Sequence, residues 1–478
     1  MTFLKKHFWL LFALLLALAC AGYYGIIGGQ YIWSDEAFTF AIIRHPYREV
    51  WAITAADVHP PLYYMLMKLL LQPVGYRLGP AKLTSILPYL ALLAFGGYQL
   101  KKLFDEKTAL LFMGLFFLFP FTLPYAVEIR MYALAAFFVF GCAIYGYRCV
   151  TEERILNWVW FTIFGILAAY THYFSLVSVG VIYLLVLIFV IVKKNGWKAW
   201  LISAVITILT YVPWLKSFLS QLAYKANHEY WIQPITLKSL MIDVNTIFGA
   251  LGVNEIFTVF VLLAFLLALV AVLCSKDKKH ILTCLCALIV PAGTVFLGLV
   301  ASWILRPIWI NRYLVPAAPL LILFLTLAVV KMERKQLSAS ILTVMVIGGV
   351  LNYQTFAINE RTWRWDELDS YFVENHKDCD AYVLNMTDDD HMSSVLCYYE
   401  PETPVFRDAE ITAANPYSNQ RSMTEFDAME YDRILMFVDV GDLAPYLLSS
   451  YDVCEPLGTI HENGDEADVY LLARTTGG

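Results

Sequence analysis

The chain has 478 residues, of which 59% are hydrophobic and only 15% charged, with a net charge of -6 and a mean hydropathy of +0.61. Soluble globular proteins carry roughly 25% charged residues, so this composition excludes a soluble enzyme and indicates a polytopic membrane protein. No basic cluster points to nucleic acid, and the nine Cys contain no C-x-x-C pair, only the "CLC" at 284–286 inside an apolar run, which excludes zinc and thioredoxin-like signatures.

The first element, "MTFLKKHFWLLFALLLALACAGYYG", has a basic start and an apolar stretch, as a signal peptide does. The apolar stretch continues to Gly28 and no good small-x-small site follows, so it reads as a retained span. About eleven spans follow from hydropathy: roughly 8–28, 80–100, 108–124, 131–149, 156–173, 175–192, 199–217, 255–273, 281–303, 313–330 and 338–356. Short basic loops alternate with them: Lys5/Lys6, "KKLFDEK" 101–107, "RCVTEER" 148–154, "KKNGWK" 193–198, "SKDKK" 275–279 and "KMERK" 331–335. With this count every basic loop falls on the same side, which the positive-inside rule makes cytoplasmic. The opposite face receives the long loops 29–79 and 218–254, the short ones at 125–130, 173–175 and 304–312, and everything after about residue 357.

Composition changes after the last span. "DAYVLNM" 380–386, "RILMFVDV" 433–440 and "ADVYLLAR" 467–474 read as short buried strands, with helices at about 388–399 and 441–450 between them. The reading is a membrane domain over 1–356 and a small extracytoplasmic α/β domain over 357–478. Cys379, Cys397 and Cys454 lie in the second domain, where an oxidising compartment permits a disulfide, but sequence does not select a pair.

Five polar groups collect on the outer face. Asp35 and Glu36 follow the first span, with Ser34 placed to cap the helix after it. They read either as a solvated helix start or as a general base or cation ligand. In "DVHPPLYYMLMKLL", 57–70, Pro60 and Pro61 suit a helix start and hold His59 in an extended conformation before it, while 46–56 with Trp51 reads as an interfacial stretch. Glu128 and Arg130 lie in "PYAVEIRMYAL", 124–134, between two spans, where charges pair structurally or work in a site. His172 in "YTHYFSL" sits at a span end, as belt filler or as part of the site. Arg306 and Arg312 in "RPIWINRYLVPAAPL" stand outside, against the positive-inside trend; they snorkel to headgroups or meet a phosphate. No P-loop or Rossmann fingerprint is present. Acids, histidines and arginines on one face of one membrane suggest a site that handles an anionic, lipid-borne substrate.

The "DE" dyad after the first span, "HPPLYY", "E-x-R-x-Y" after the third span, "THYF" and "NRYLVPAAPL" together resemble the GT-C glycosyltransferases. Among these, the chain is most similar to the family 39-like bacterial proteins related to protein O-mannosyltransferases and to the aminoarabinose transferase of lipid A. The resemblance covers roughly residues 1–356, and Lys82 stands where many relatives carry Arg. It implies a GT-C membrane fold and an inverting transferase that moves a sugar from a polyprenyl-phosphate donor to an acceptor hydroxyl. The acceptor would be an envelope glycan, lipid or protein met on the extracytoplasmic face of the cell membrane. Carried over, Asp35 is the general base and Glu36 orients the acceptor or Asp35. Arg130 and Arg312, with His59 and His172, face the donor phosphate, and Glu128, Tyr63 and Tyr313 face substrate. The family does not uniformly need a metal; adjacent acids could hold Mg²⁺ or Mn²⁺, but no obligate ion is expected. The rival reading is a transporter or flippase for lipid-linked sugars, which would place ionisable groups near span centres. The span interiors here are almost free of charge.

Overall fold

A computed structural model describes residues 3–27, 32–152, 154–226, 232–249, 255–362, 378–387, 389–409, 411, 415–441, 448–462 and 465–474. Helices run in the order α1 (Phe3–Gly25), α2 (Ser34–Arg44), α3 (Tyr47–Ala56), α4 (Leu62–Leu71), α5 (Leu78–Leu103), α6 (Glu106–Phe117), α7 (Tyr132–Thr151) and α8 (Ile155–Thr171). They continue with α9 (Tyr173–Lys193), α10 (Trp197–Ala226), α11 (Leu237–Phe248), α12 (Glu255–Leu273), α13 (Lys278–Ile304), α14 (Ala318–Lys331) and α15 (Lys335–Thr362). The chain divides into two compact units: Met1–Gly28, Val58–Leu66 and Gly79–Arg361 form one, and Gly29–Asp57, Met67–Leu78 and Thr362–Gly478 the other.

The first unit is a helical bundle. Among the described residues nine helices are long and apolar enough to cross a membrane, and ten if α6 and Pro120–Ala126, bent by 59°, make one span. The bend falls where Pro120 and Pro124 remove backbone donors and start two short 3₁₀ turns. The span expected at 156–173 is the 17-residue helix α8, which His172 ends by taking an extended φ of -158°. Surface helices such as α1 and α10 present leucines and isoleucines outward, as a lipid-facing surface allows. The helix α14 is instead buried almost throughout and packs against α6, α12 and α13. Close helix approach follows from small residues: a Cβ on Gly141 would lie 2.4 Å from the Phe164 ring, so α7 and α8 meet across a bare backbone.

The basic loops converge on one end of this unit. Lys101 lies 4.1 Å over the Phe8 ring and 4.4 Å over that of Trp9. Arg148 donates to Gln99 (2.7 Å) and pairs with Glu152 (2.8 Å). Lys193 donates to the Val150 carbonyl, and Lys331 pairs with Asp277 at 2.8 Å. The alternation read from sequence is thus an antiparallel bundle with its short basic loops gathered together.

The second unit contains a six-stranded sheet. Its strands are β1 (Ala381–Asn385), β2 (Val405–Arg407), β3 (Gln420–Ser422), β4 (Arg433–Asp439), β5 (Val453–Glu462) and β6 (Asp465–Ala473), in the order β3-β2-β1-β4-β6-β5. The β3-β2-β1-β4 part is parallel; β6 and β5 add antiparallel. The strands β1 and β4 are near-continuous apolar runs because a parallel strand is covered on both faces. Between β1 and β2 lies α16 (Asp390–Tyr399), the crossover a parallel pair needs. The expected strands and the first expected helix are present; the helix expected at 441–450 falls largely outside the described residues. Cys379, Cys397 and Cys454 are free thiols.

The outer segment of residues 32–57 and 67–78 packs with this sheet domain. The helix α2 lies against α16, with the Phe40 and Tyr398 rings 5.0 Å apart and Arg44 over the Tyr398 ring at 5.8 Å. His45 Nε2 meets the Pro416 carbonyl at 2.8 Å. The end of α2 is closed by Lys68, whose buried ammonium donates to the Ile43 carbonyl at 3.0 Å, a cation placed at the negative helix end.

Candidate active site

In the helical unit four chain segments bring the polar residues together. Pro60 and Pro61 precede α4, and Pro61 offers its carbonyl to Met65 N (3.0 Å) as that helix begins. His59 is thereby fixed ahead of the helix and is buried. Arg130 lies in the turn before α7, only 2% exposed, with its peptide N–H bonded to the Glu128 carbonyl at 2.8 Å. Ser85 on α5 donates to the same Glu128 carbonyl. The Arg130 Nη2 donates to His59 Nε2 at 3.5 Å, which makes that nitrogen of His59 an acceptor.

His172 is the hinge between α8 and α9. Its Nδ1 accepts the Phe174 N–H at 3.2 Å, capping α9, so any proton on the neutral ring sits on Nε2. Burial lowers its pKa well below the ordinary histidine value, and His59, Arg130 and Arg312 lower it further. His172 is therefore a neutral N–H donor. Its ring lies 5.9 Å from His59, 5.6 Å from Tyr132 and 5.2 Å from Tyr313.

The fourth segment, 306–317, is drawn against α13 by Ser302, whose hydroxyl accepts from Trp309 N (2.9 Å) and Ile308 N (3.2 Å). Phe174 stacks on Tyr313 at 4.6 Å and meets Trp309 at 5.6 Å. The Trp309 indole donates to Asp243 Oδ2 on α11 at 3.0 Å. Gly298 is what lets α13 reach this cluster, since a Cβ there would lie 2.5 Å from the Trp309 ring and 2.8 Å from Phe174. Gly298→Ala is expected to displace both rings, costing about 1–3 kcal/mol of stability by overpacking; a lowered melting temperature in detergent checks it.

The His59, His172 and 306–313 segments, with α10 and α13, line a cavity of about 290 Å³. Val177, Phe218, Leu222, Leu297 and Ala301 give it apolar walls, while His59, His172, Gln221, Arg306 and Tyr313 supply its polar groups. Glu128 and Arg312 both act electrostatically on Tyr125, which places them beside one another's field. Of the residues expected from sequence, Arg130, His59, His172 and Tyr313 thus form a chain of successive contacts, and Arg312 is within electrostatic reach of His172. Tyr63 is buried on α4 with its ring 5.6 Å from Tyr64, and Lys82 is buried on α5. Arg306, Gln221, Trp309 and Asp243 were not expected as site residues; only Arg306 carried a signal, its charge on the arginine-poor side.

Asp35 and Glu36 belong to the other unit, in the first turn of α2, with Asp35 half-buried and Glu36 buried. Ser34 does not cap this helix as expected. Trp33 occupies the capping position, and Ser34 lies inside the helix with its hydroxyl bonded to His391 Nδ1 of α16. Tyr417 is half-buried, its ring 6.4 Å from Phe38, and it feels the Asp35 charge. The α/β domain therefore holds the helix that carries both acids. Among the described residues no three His, Cys, Asp or Glu side chains cluster in a way that could hold a metal ion.

No family model matches the chain, and no curated protein matches its sequence. Solved structures do. ArnT from Cupriavidus metallidurans in the apo state superposes with a TM-score of 0.65 at 12% identity, covering 96% of this chain and 97% of that one. The same protein bound to undecaprenyl phosphate gives 0.62 over the same shares. The archaeal oligosaccharyltransferase AglB from Archaeoglobus fulgidus, in complex with an inhibitory peptide and a dolichol-phosphate, matches more weakly, covering 91% of this chain and 70% of its own at 8% identity and a TM-score of 0.40. At 12% identity the likeness to ArnT concerns the fold alone, shared over nearly the whole of both chains.

Proposed function

We propose that this protein is an inverting glycosyltransferase that moves a sugar from a polyprenyl-phosphate donor to an acceptor hydroxyl on the extracytoplasmic face. The observation that carries this reading is the cavity beside His59 and His172. A polyprenyl phosphate has an apolar chain and a dianionic head, and the cavity pairs apolar walls with His59, His172, Arg306 and Tyr313, with Arg130 behind His59. A fold shared with a protein whose structure is titled as bound to undecaprenyl phosphate supports the same ligand class.

In this reading Asp35 takes the proton of the acceptor hydroxyl as its oxygen attacks the anomeric carbon. The bond from that carbon to the phosphate oxygen breaks on the opposite face, so the centre inverts and the polyprenyl phosphate leaves with both electrons. Arg130 and Arg312 stabilise the growing phosphate charge, and neutral His172 donates its Nε2–H to it. Glu36 orients the acceptor or Asp35, while Glu128, Tyr63 and Tyr313 contact substrate. No step passes through a metal, although the adjacent acids leave room for Mg²⁺ or Mn²⁺. The basic loops support an N-terminus in the cytoplasm and an α/β domain outside. Arg312→Ala is expected to raise the donor KM by roughly ten- to a hundredfold, the worth of one hydrogen bond to a charged group, with melting unchanged. An unaltered donor KM would remove Arg312 from the site.

A further inference from the structure

A second cavity, of about 340 Å³, lies at the basic-loop end of the helical unit. It runs between α7, α9, α13 and α14. The helix α9 joins the two cavities, beginning just after its cap His172 and ending at Lys193, a length of about 30 Å at the α-helical rise. The walls are apolar: Ile144, Val186, Phe189, Val290, Leu320 and Leu323. The depth along α13 from Lys279 to Val290 is about 16 Å at 1.5 Å per residue.

The mouth is different. Lys193 and Lys279 line it, both exposed at helix ends. The nearby acids are already engaged. Asp277 caps α13 through His280 N and pairs with Lys331. Asp105 caps α6 through Thr108 N and Oγ1. Glu152 pairs with Arg148. Lys193 donates to the Val150 carbonyl, a neutral acceptor. Among the described residues that line the cavity, Lys193 and Lys279 are the charged ones, so its mouth is positive above a greasy slot.

We infer that this cavity binds one anionic glycerophospholipid, with an acyl chain in the slot and the headgroup on Lys193 and Lys279. A basic pocket between membrane helices at the level of the headgroups is suited to such a lipid. A zwitterionic lipid would fill the slot equally well but would leave the two ammonium groups without a net counter-charge. The inference is independent of the sugar-transfer reading, because the residues lie at the far end of α9 from His172.

The test is native mass spectrometry of the full chain in detergent, titrated with phosphatidylglycerol or phosphatidylcholine. Wild type is expected to retain one phosphatidylglycerol in preference to phosphatidylcholine. Lys193→Gln with Lys279→Gln should lower that retention about 25-fold, to the phosphatidylcholine level, since each surface lysine contributes about fivefold toward an anionic lipid. Ala287→Phe, which fills the slot, should abolish retention of both lipids while leaving the lysines in place. Equal retention of the two lipids by wild type, a preference that survives the double substitution, or retention by the filled variant would each overturn the assignment.

Discussion

Asp35→Asn is expected to lower sugar transfer by about 10²- to 10⁴-fold, the range that general-base catalysis contributes, with expression and melting unchanged. Asn keeps the size and helical position of the side chain and removes its charge and its ability to take a proton. The helix around it is held by contacts the substitution does not touch. Ser34 bonds His391, Phe40 packs on Tyr398, His45 meets the Pro416 carbonyl, and Lys68 closes the far end. Loss of activity in a folded variant therefore reports chemistry. Donor binding should survive, since the acids act on the acceptor. Glu36→Gln should reduce turnover less, because Glu36 orients and does not take the proton. A fully active Asp35→Asn protein would sink the base assignment.

Arg130→Ala carries the second large effect, a fall in kcat of about 10²- to 10³-fold, as loss of a fixed donor to a developing anion produces. Arg130 is buried, its backbone is tied to Glu128, and its guanidinium reaches His59. A charge held this firmly loses nothing to reorganisation when the phosphate departs. Arg130→Lys should recover part of the rate, since it restores the charge but not the planar fork. Separate determination of kcat and donor KM distinguishes this from a binding defect. If kcat is unchanged and only KM rises, Arg130 binds the ground state and does not stabilise leaving-group charge.

Much of this architecture is legible in the sequence for a physical reason. Lipid imposes long apolar runs, and the alternation of "KKLFDEK", "RCVTEER", "KKNGWK", "SKDKK" and "KMERK" already ordered the loops that the structure gathers at one end. The polar outer motifs likewise contained four residues that the fold brings into contact, because Arg130, His172 and Tyr313 each sit at the same end of a span and His59 lies in the outer loop on that side. Contacts distant in sequence were not legible. Ser34 and His391 are 357 positions apart, and no local pattern announces that the α/β domain grips α2; local rules made Ser34 a cap instead. The Trp309–Asp243 bond hides for the same reason. In the sheet, β2 and β3 have three residues each, too few to show a period. The strand β5 was missed because it is an edge, mostly exposed, with Pro456 and Gly458 at a register shift.

The measurement that tests the central claim most directly is donor turnover. Purified protein in lipid is supplied with a panel of polyprenyl-phosphate sugars and a crude envelope extract as acceptor, and release of polyprenyl phosphate is followed for wild type and Asp35→Asn. The account predicts release from one donor by wild type and its loss in the variant, which also names the sugar. No release from any donor with several acceptor extracts, together with transbilayer movement of a lipid-linked sugar by the same preparation, would contradict it and make the protein a flippase.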